Sequence, residues 1–204
     1  PINFNLIIPA FRFPTWHFCP NSKCRHLSKR TLYERGNRGK ISCPKCGWPM
    51  FQVPCIAICE NGHIQDFPFN EWVHRSIQPS CSGENLKMQS SGKPSLIGQT
   101  IKCTKCGKSR TLFGITNSKN GSTYLSSQLQ EGSQYLCQGI MPWHGIEEKG
   151  ACGVPLRGAL RGASNVYYAQ IYSSVYLPRT QGNVNQELEE VLDRPNISVV
   201  FDLL

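Results

Sequence analysis

Cysteine is the residue type here most able to do chemistry, with 11 among 204 residues. Cys19 and Cys24 stand four residues apart, Cys43 and Cys46 two apart, and eighteen residues separate the pairs. Two such pairs brought together offer four thiolates, the ligand set of a zinc ribbon with S–Zn distances of about 2.3 Å. Cys43-Pro-Lys-Cys46-Gly47 has the form of a knuckle. Its glycine permits φ > 0 and lets backbone N–H groups turn towards sulfur. Cys103-x2-Cys106-Gly107 repeats the form, and the reading joins it to Cys137 and Cys152, folded together by a PWHG turn at 142–145. His144 competes for one ligand position of that second site. Cys59, His63, His74 and Cys81 form a third candidate, with two sulfurs and two nitrogens. Otherwise His63 is a turn residue and His74 a surface one. Cys55 is then left over as a small apolar residue on a strand. Two to three Zn2+ ions are expected.

Disulfides are the competing use of so many cysteines. The odd count, the C-x2-C spacings and the opening PINFNLIIPAFRFP favour zinc. That opening has neither a basic n-region nor a long apolar h-region, so a secretory leader is not expected and a cytoplasmic location is. A start at Pro1 and an end on SVVFDLL read as a piece of a longer protein. Four protein ligands close a zinc site to water, which makes such sites structural. Their binding free energy, about 10 kcal/mol per site or more, becomes folding free energy.

Catalytic patterns are missing. The sequence has no G-x-x-x-x-G-K-[ST], no H-E-x-x-H and no G-x-S-x-G. Its 13 acids offer no evident two-metal pair. Glu60, Asp66 and Glu71 near His63 and His74 are the densest acid/His group. A hydrolase there would need an open metal position. The preferred role of Asp66 or Glu71 is to orient a ligating histidine. No enzyme activity is expected.

The elements that must position these residues are short. NFNLII and FRFPTWHF read as extended, 25–40 as short strands or a loop, and FQVPCIAIC as an apolar strand. A helix is expected over FNEWVHRSI, with Asp66 as N-cap and Pro68 in its first turn. Residues 82–94 read as a Ser/Gly/Lys loop, SLIGQTIKC as a strand, and 117–136 as a polar turn leading to a short helix. Strands are expected in 156–178 and an acidic helix over 181–194. The fold class is α+β and irregular: small β-rich, zinc-ribbon-like modules with short helices, stabilised by metal. Four segments are expected: 1–50 with the first ribbon, 51–99 with the Cys/His cluster, 100–155 with the second four-cysteine module, and 156–204. No segment has the roughly 18 apolar residues of a membrane helix.

The net charge of +9 is uneven: residues 1–50 carry nine Lys/Arg against one acid, and 101–150 carry six against three. A basic patch favours a polyanion, usually nucleic acid. Lys23, Arg25, Lys29, Arg30, Arg35, Arg38 and Lys40 are candidate phosphate contacts, with Arg157, Arg161 and Asn165 as a second group. Trp16 and His17 could stack on single-stranded bases, against the plainer reading of Trp16 as core. Arg161 and Asn165 could equally belong to a structural turn.

FRFPTWHFCP, CPKCG, CENGHIQDFPFNEWVHR, CTKC, CQGIMPWHG and RGASNVYYAQIYSSVYLP, in this order, resemble the DrmB family, zinc-rich accessory subunits of DISARM anti-phage systems. The resemblance covers roughly residues 10–180. Phe69 stands where a Trp is expected, and Cys19-x4-Cys24 is wider than the usual C-x2-C. Members of that family are much longer. The resemblance implies a non-catalytic partner of a superfamily-2 helicase subunit in a complex that engages DNA, with no membrane and no small-molecule substrate. The alternative is a protein-only zinc adaptor whose charge faces an acidic partner.

Overall fold

A computed structural model describes residues 10–34, 39–92, 96–144, 150–164 and 166. The extended reading of NFNLII, the acidic helix over 181–194 and any strand beyond 166 lie outside these residues.

Alternation of apolar and polar residues builds the main sheet. Strands β1 (Trp16–Phe18), β2 (His26–Lys29) and β3 (Phe51–Gln52) lie just before, within and just after the four cysteines of the first ribbon. Further along come β4 (Cys55–Ile58), β5 (Ile64–Asp66), β6 (Leu86–Ser90), β7 (Gln99–Cys103) and β8 (Ser109–Thr111). Six of these form one antiparallel sheet in the order β3-β1-β2-β6-β7-β8. Leu27, Leu86, Met88 and Ile101 are buried on one face. The residues alternating with them, Lys87, Gln89 and Lys102, point to the opposite face. The sheet therefore draws strands from the first three expected segments.

Strand β6 corrects the reading of 82–94 as a loop. Leu86-x-Met88 is a short period-2 signal among polar residues, and pairing with both β2 and β7 makes it a central strand. The 3-10 turn at 83–85 and residues 91–92 keep loop character, and Ser82 Oγ accepts from Glu84 N.

Pro54 breaks FQVPCIAIC into β3 and β4, since proline donates no ladder hydrogen bond. Strand β4 pairs with β5 and with β11 (Arg157–Leu160). It is buried on both sides. Cys55 and Ala57 join the main core, and Ile56 and Ile58 meet Ala159, Phe13 and Ile64. Gly158 lies in β11 where only glycine fits: a Cβ there would stand 2.8 Å from the Ile115 carbonyl oxygen, which accepts from Gly158 N.

The expected helix is α1, Phe69–His74, shorter than the reading over 69–77. Asp66 does not cap it. Its carboxylate instead accepts from Thr15 N at 2.8 Å and from Thr15 Oγ1, so β5 claims it. Arg75 at φ +53° ends the helix, with its N–H returned to the Glu71 carbonyl. Arg110 on β8 fastens the helix: its guanidinium lies 3.3 Å from the Trp72 ring centroid and donates to the Trp72 and Gln128 carbonyls. Burial pulls its pKa down to about 10. The polar turn and helix read over 117–136 appear as a hairpin, β9 (Ser118–Lys119) and β10 (Ser122–Thr123), followed by α2 (Tyr124–Gln128). Thr123 Oγ1 caps α2 by accepting from Ser126 N at 3.1 Å.

All the described residues belong to one unit, 1–168. Its main core runs continuously through Trp16, Phe67, Trp72, Leu112, Leu125 and Leu156. The ribbon arm differs. Its own buried cluster is Cys19, Ile41, Cys43 and Met50, half of it cysteine. Mostly short strands with a few short helices and clustered cysteines make this the mixed, ribbon-like class expected from the sequence.

Candidate metal centres

Cys19 follows β1 and Cys24 lies in the turn before β2. In that turn Cys24 N and Arg25 N both donate to the Asn21 carbonyl, and Cys19 N donates to the His26 carbonyl. The second half of the site is the 43–47 knuckle. Cys43 N donates to the Trp48 carbonyl at 2.7 Å, and Gly47 N to the Cys43 carbonyl at 2.9 Å. The four sulfurs meet, with Cys19–Cys46 at 3.5 Å and Cys24–Cys43 at 3.7 Å. A tetrahedral ZnS4 unit with 2.3 Å bonds has S···S edges of about 3.8 Å. A disulfide would need about 2.05 Å, and all 11 cysteines are unbridged.

The second group is His74, Cys81, Cys103 and Cys106. His74 ends α1, Cys81 lies in the following loop, and the other two form the β7–β8 turn. Gly107 N donates to the Cys103 carbonyl at 3.0 Å, repeating the 43–47 knuckle. The His74 ring is fixed by Nδ1, 2.7 Å from the Asn70 carbonyl oxygen. Its Nε2 is buried without a hydrogen-bond partner. An orphaned buried ring nitrogen costs free energy unless a cation takes its lone pair, so this atom fits a metal ligand. The orienting acceptor is a backbone carbonyl, not Asp66 or Glu71 as the sequence suggested.

The third group is Cys59, His63, Cys137 and Cys152. Cys59 and His63 bracket the β4–β5 turn, with His63 Nδ1 at 3.4 Å from Cys59 Sγ. Cys137 and Cys152 are joined by a Cys152 N to Cys137 carbonyl hydrogen bond of 3.0 Å. Gly139 N and Asn61 Nδ2 donate to the Cys137 and Cys152 sulfurs at 3.3 and 3.1 Å. His144 lies in a 3-10 turn, Pro142–His144, and is not among the gathered ligands.

The grouping corrects the sequence reading in one respect. Cys103 and Cys106 do not join Cys137 and Cys152, and His63 does not join His74. Four ligand pairs, 59/63, 74/81, 103/106 and 137/152, combine as outer with outer and inner with inner. The reason is β5 and α1, which separate the Cys59 turn from His74 and deliver His74 to the β7–β8 turn. A shared signal could have been seen in the sequence only in part. In four of the six pairs, 19/24, 43/46, 103/106 and 137/152, the residue after the second cysteine has positive φ: Arg25 (+52°), Gly47 (+74°), Gly107 (+77°) and Gly153 (+73°).

In each group the ligand atoms lie within 4.8 Å of one another. Burial pushes the Cys19 and Cys137 thiols up to about 12. Backbone N–H groups of Trp48 and Lys108 favour the Cys46 and Cys106 thiolates, bringing Cys46 down to about 7. Each site thus mixes desolvated thiols with N–H-stabilised ones, and a divalent cation offsets the desolvation by ligating them as thiolates. The three groups can bind metal ions, and each offers four protein ligands. Cys55 stays outside them, wholly buried, its thiol pushed up to about 12 by desolvation.

The charged candidates separate by environment. Lys23, Lys29 and Lys40 are exposed. Arg25 is half-buried in its knuckle, and Arg30 is tied to Glu34 at 3.4 Å and to the Ser42 carbonyl at 3.0 Å. Arg35, Arg38 and Asn165 lie outside the described residues. Arg161 donates to Gln52 Oε1 at 2.9 Å and, through its backbone N–H, to the Pro54 carbonyl. Arg157 lines a small cleft of about 270 Å³ beside Cys59, Glu60 and His63. Trp16 and His17 do not form a stacking platform. Trp16 is 6% exposed and packs edge-on against Phe69, and His17 is 1% exposed. Burial lowers the His17 pKa. The sequence reading passed over exposed Trp48 and Lys45, both in or beside the 43–47 knuckle.

A family model described as "Domain of unknown function (DUF8724)" matches residues 3–168. DISARM protein DrmB of Bacillus paralicheniformis is 29% identical over 183 residues. That alignment covers 87% of this chain and 30% of the relative, so the chain spans under a third of its length. No helix among the described residues is long and apolar enough to cross a membrane. A cysteine-rich unit with three four-ligand clusters, matched over residues 3–168, belongs to the DUF8724 domain family and is a relative of DrmB.

Proposed function

We propose that this chain is a zinc-binding, non-catalytic part of a defence complex that engages DNA and partners a helicase subunit in the cytoplasm. The observation that carries the reading is the set of three closed four-ligand clusters in a relative of a DISARM protein. Zn2+ suits them because thiolate and imidazole ligands at tetrahedral spacing are its preferred set. A fourth protein ligand leaves no position for a reacting water, which supports a structural role. His63 and His74 serve different clusters, which argues against a hydrolytic centre built on the two together.

DNA engagement is supported by the charge of the ribbon arm. Lys23, Lys29 and Lys40 present exposed ammonium groups there, and such contacts give affinity without reading sequence. The test is fluorescence anisotropy with labelled single-stranded DNA across a salt series. Binding is expected, and replacing Lys23, Lys29 and Lys40 by Ala should lower the log–log salt slope by about 2, at roughly 0.7 per phosphate contact. Absence of binding by the zinc-loaded protein, together with retention of an acidic partner subunit, would establish the adaptor reading instead.

A further inference from the structure

The main sheet carries a charge arrangement that its own folding does not favour. Lys87 on β6 and Lys102 on β7 are direct cross-strand partners. Like charges placed opposite one another in a sheet are destabilising. The same row ends at buried His26 on one side and continues to Ser109 on the other. Gln89, paired with Thr100, lies one step along on the same face. Lys102, Gln89 and Ser109 are exposed and Lys87 is half-buried. Among the described residues the one ion pair is Arg30–Glu34, so no carboxylate of those residues neutralises either lysine.

Four of the six acids among the described residues are gathered elsewhere. Glu34, Asp66, Glu71 and Glu84 all line a single cleft of about 780 Å³, where Trp16 and Phe67 of the core also contribute. A further cation stands in the turn that follows β7. Lys105 is exposed in the β7–β8 turn. Adjacent strands are spaced by about 4.8 Å. Lysines on such strands can therefore follow consecutive phosphates of one polynucleotide strand.

We propose that the polar face of the main sheet, centred on Lys87 and Lys102, is a second contact surface for a nucleic-acid phosphate backbone. It is distinct from the Lys23/Lys29/Lys40 arm. The inference rests on the DNA-engaging reading above and adds a location to it. An anionic strand relieves the Lys87–Lys102 repulsion on binding, and this gives the pair a use that an unliganded sheet lacks.

Two variants of the zinc-loaded protein test this against labelled single-stranded DNA. Lys87→Gln with Lys102→Gln should lower the salt slope by about 1.4, at roughly 0.7 per lysine. Lys102→Glu converts the repulsive pair into an attractive one. It should raise the melting temperature without DNA and weaken DNA binding at least tenfold. Wild-type binding with an unchanged slope in the double variant overturns the sheet face but leaves the ribbon arm as the DNA contact. Loss of melting temperature together with binding in Lys102→Glu also overturns it, because the lysine would then be structural. A wild-type protein that binds no DNA removes both the sheet face and the reading beneath it.

Discussion

At the scale of single residues, the His74 ring shows how a metal ligand is prepared. The Asn70 carbonyl holds Nδ1, so the free lone pair is confined to Nε2, which is buried among Cys81, Cys103 and Cys106. Glu71, three residues earlier, lines the large cleft, and the acceptor at Nδ1 is the Asn70 carbonyl instead. Gly158 is the opposite kind of constraint, a position defined by what it lacks. Any side chain there meets the Ile115 carbonyl, whose oxygen also accepts the Gly158 N–H. Gly158→Ala should destabilise the protein by about 1–3 kcal/mol, the range for overpacking. Chemical denaturation of the zinc-loaded protein will measure it, and Ala159→Gly, one residue along in the same strand, should cost less because it adds no atom.

At the scale of elements, all three clusters use a strand-to-strand turn as one half: β1–β2, β4–β5 and β7–β8. A hairpin turn fixes two ligands at once, and the sheet then decides which other pair can arrive. The nested grouping makes a direct prediction for metal content. His74→Ala with Cys106→Ser should remove about one zinc equivalent, because both residues belong to one cluster. His74→Ala with Cys137→Ser should remove about two, because the losses fall on different clusters. Elemental analysis after dialysis against a weak chelator distinguishes the outcomes. The grouping expected from sequence, with Cys106 beside Cys137, would give the reverse assignment for Cys106→Ser with Cys137→Ser: one equivalent rather than two.

At the scale of the whole molecule, metal and hydrophobic core share the work unequally. The main cluster, from Trp16 to Leu156, has aromatic and aliphatic side chains of its own, although Cys59, Cys81, Cys103 and Cys137 are part of it. The ribbon arm has only Ile41 and Met50 beyond its cysteines. Structural zinc contributes about 10 kcal/mol or more per site, comparable to the whole stability of a typical domain at about 5–15 kcal/mol. Full chelation should therefore unfold the described unit, with loss of the near-ultraviolet circular dichroism of buried Trp16 and Trp72. Readdition of zinc under reducing conditions should restore it. A protein that keeps this signal with less than one equivalent of metal would show that the core suffices alone.

The sequence by itself determined the ligand types, the knuckles and the first cluster, because C-x2-C-G is a local turn whose chemistry is complete within a few residues. It also determined the apolar strand around Cys55 and the short helix after Pro68, since each carries its own pattern of burial. Three things were decided only by tertiary structure. One was the partnership of the remaining ligand pairs, which depends on where β5 and α1 carry the chain. Another was the role of Asp66, taken by Thr15 on the incoming β1 segment rather than by the helix beside it. The last was the sheet face with Lys87 opposite Lys102, residues fifteen apart in sequence that only strand register brings together. Spacing specifies a turn because a turn is local; it does not specify a four-ligand site or a charged surface assembled from strands that meet at long range.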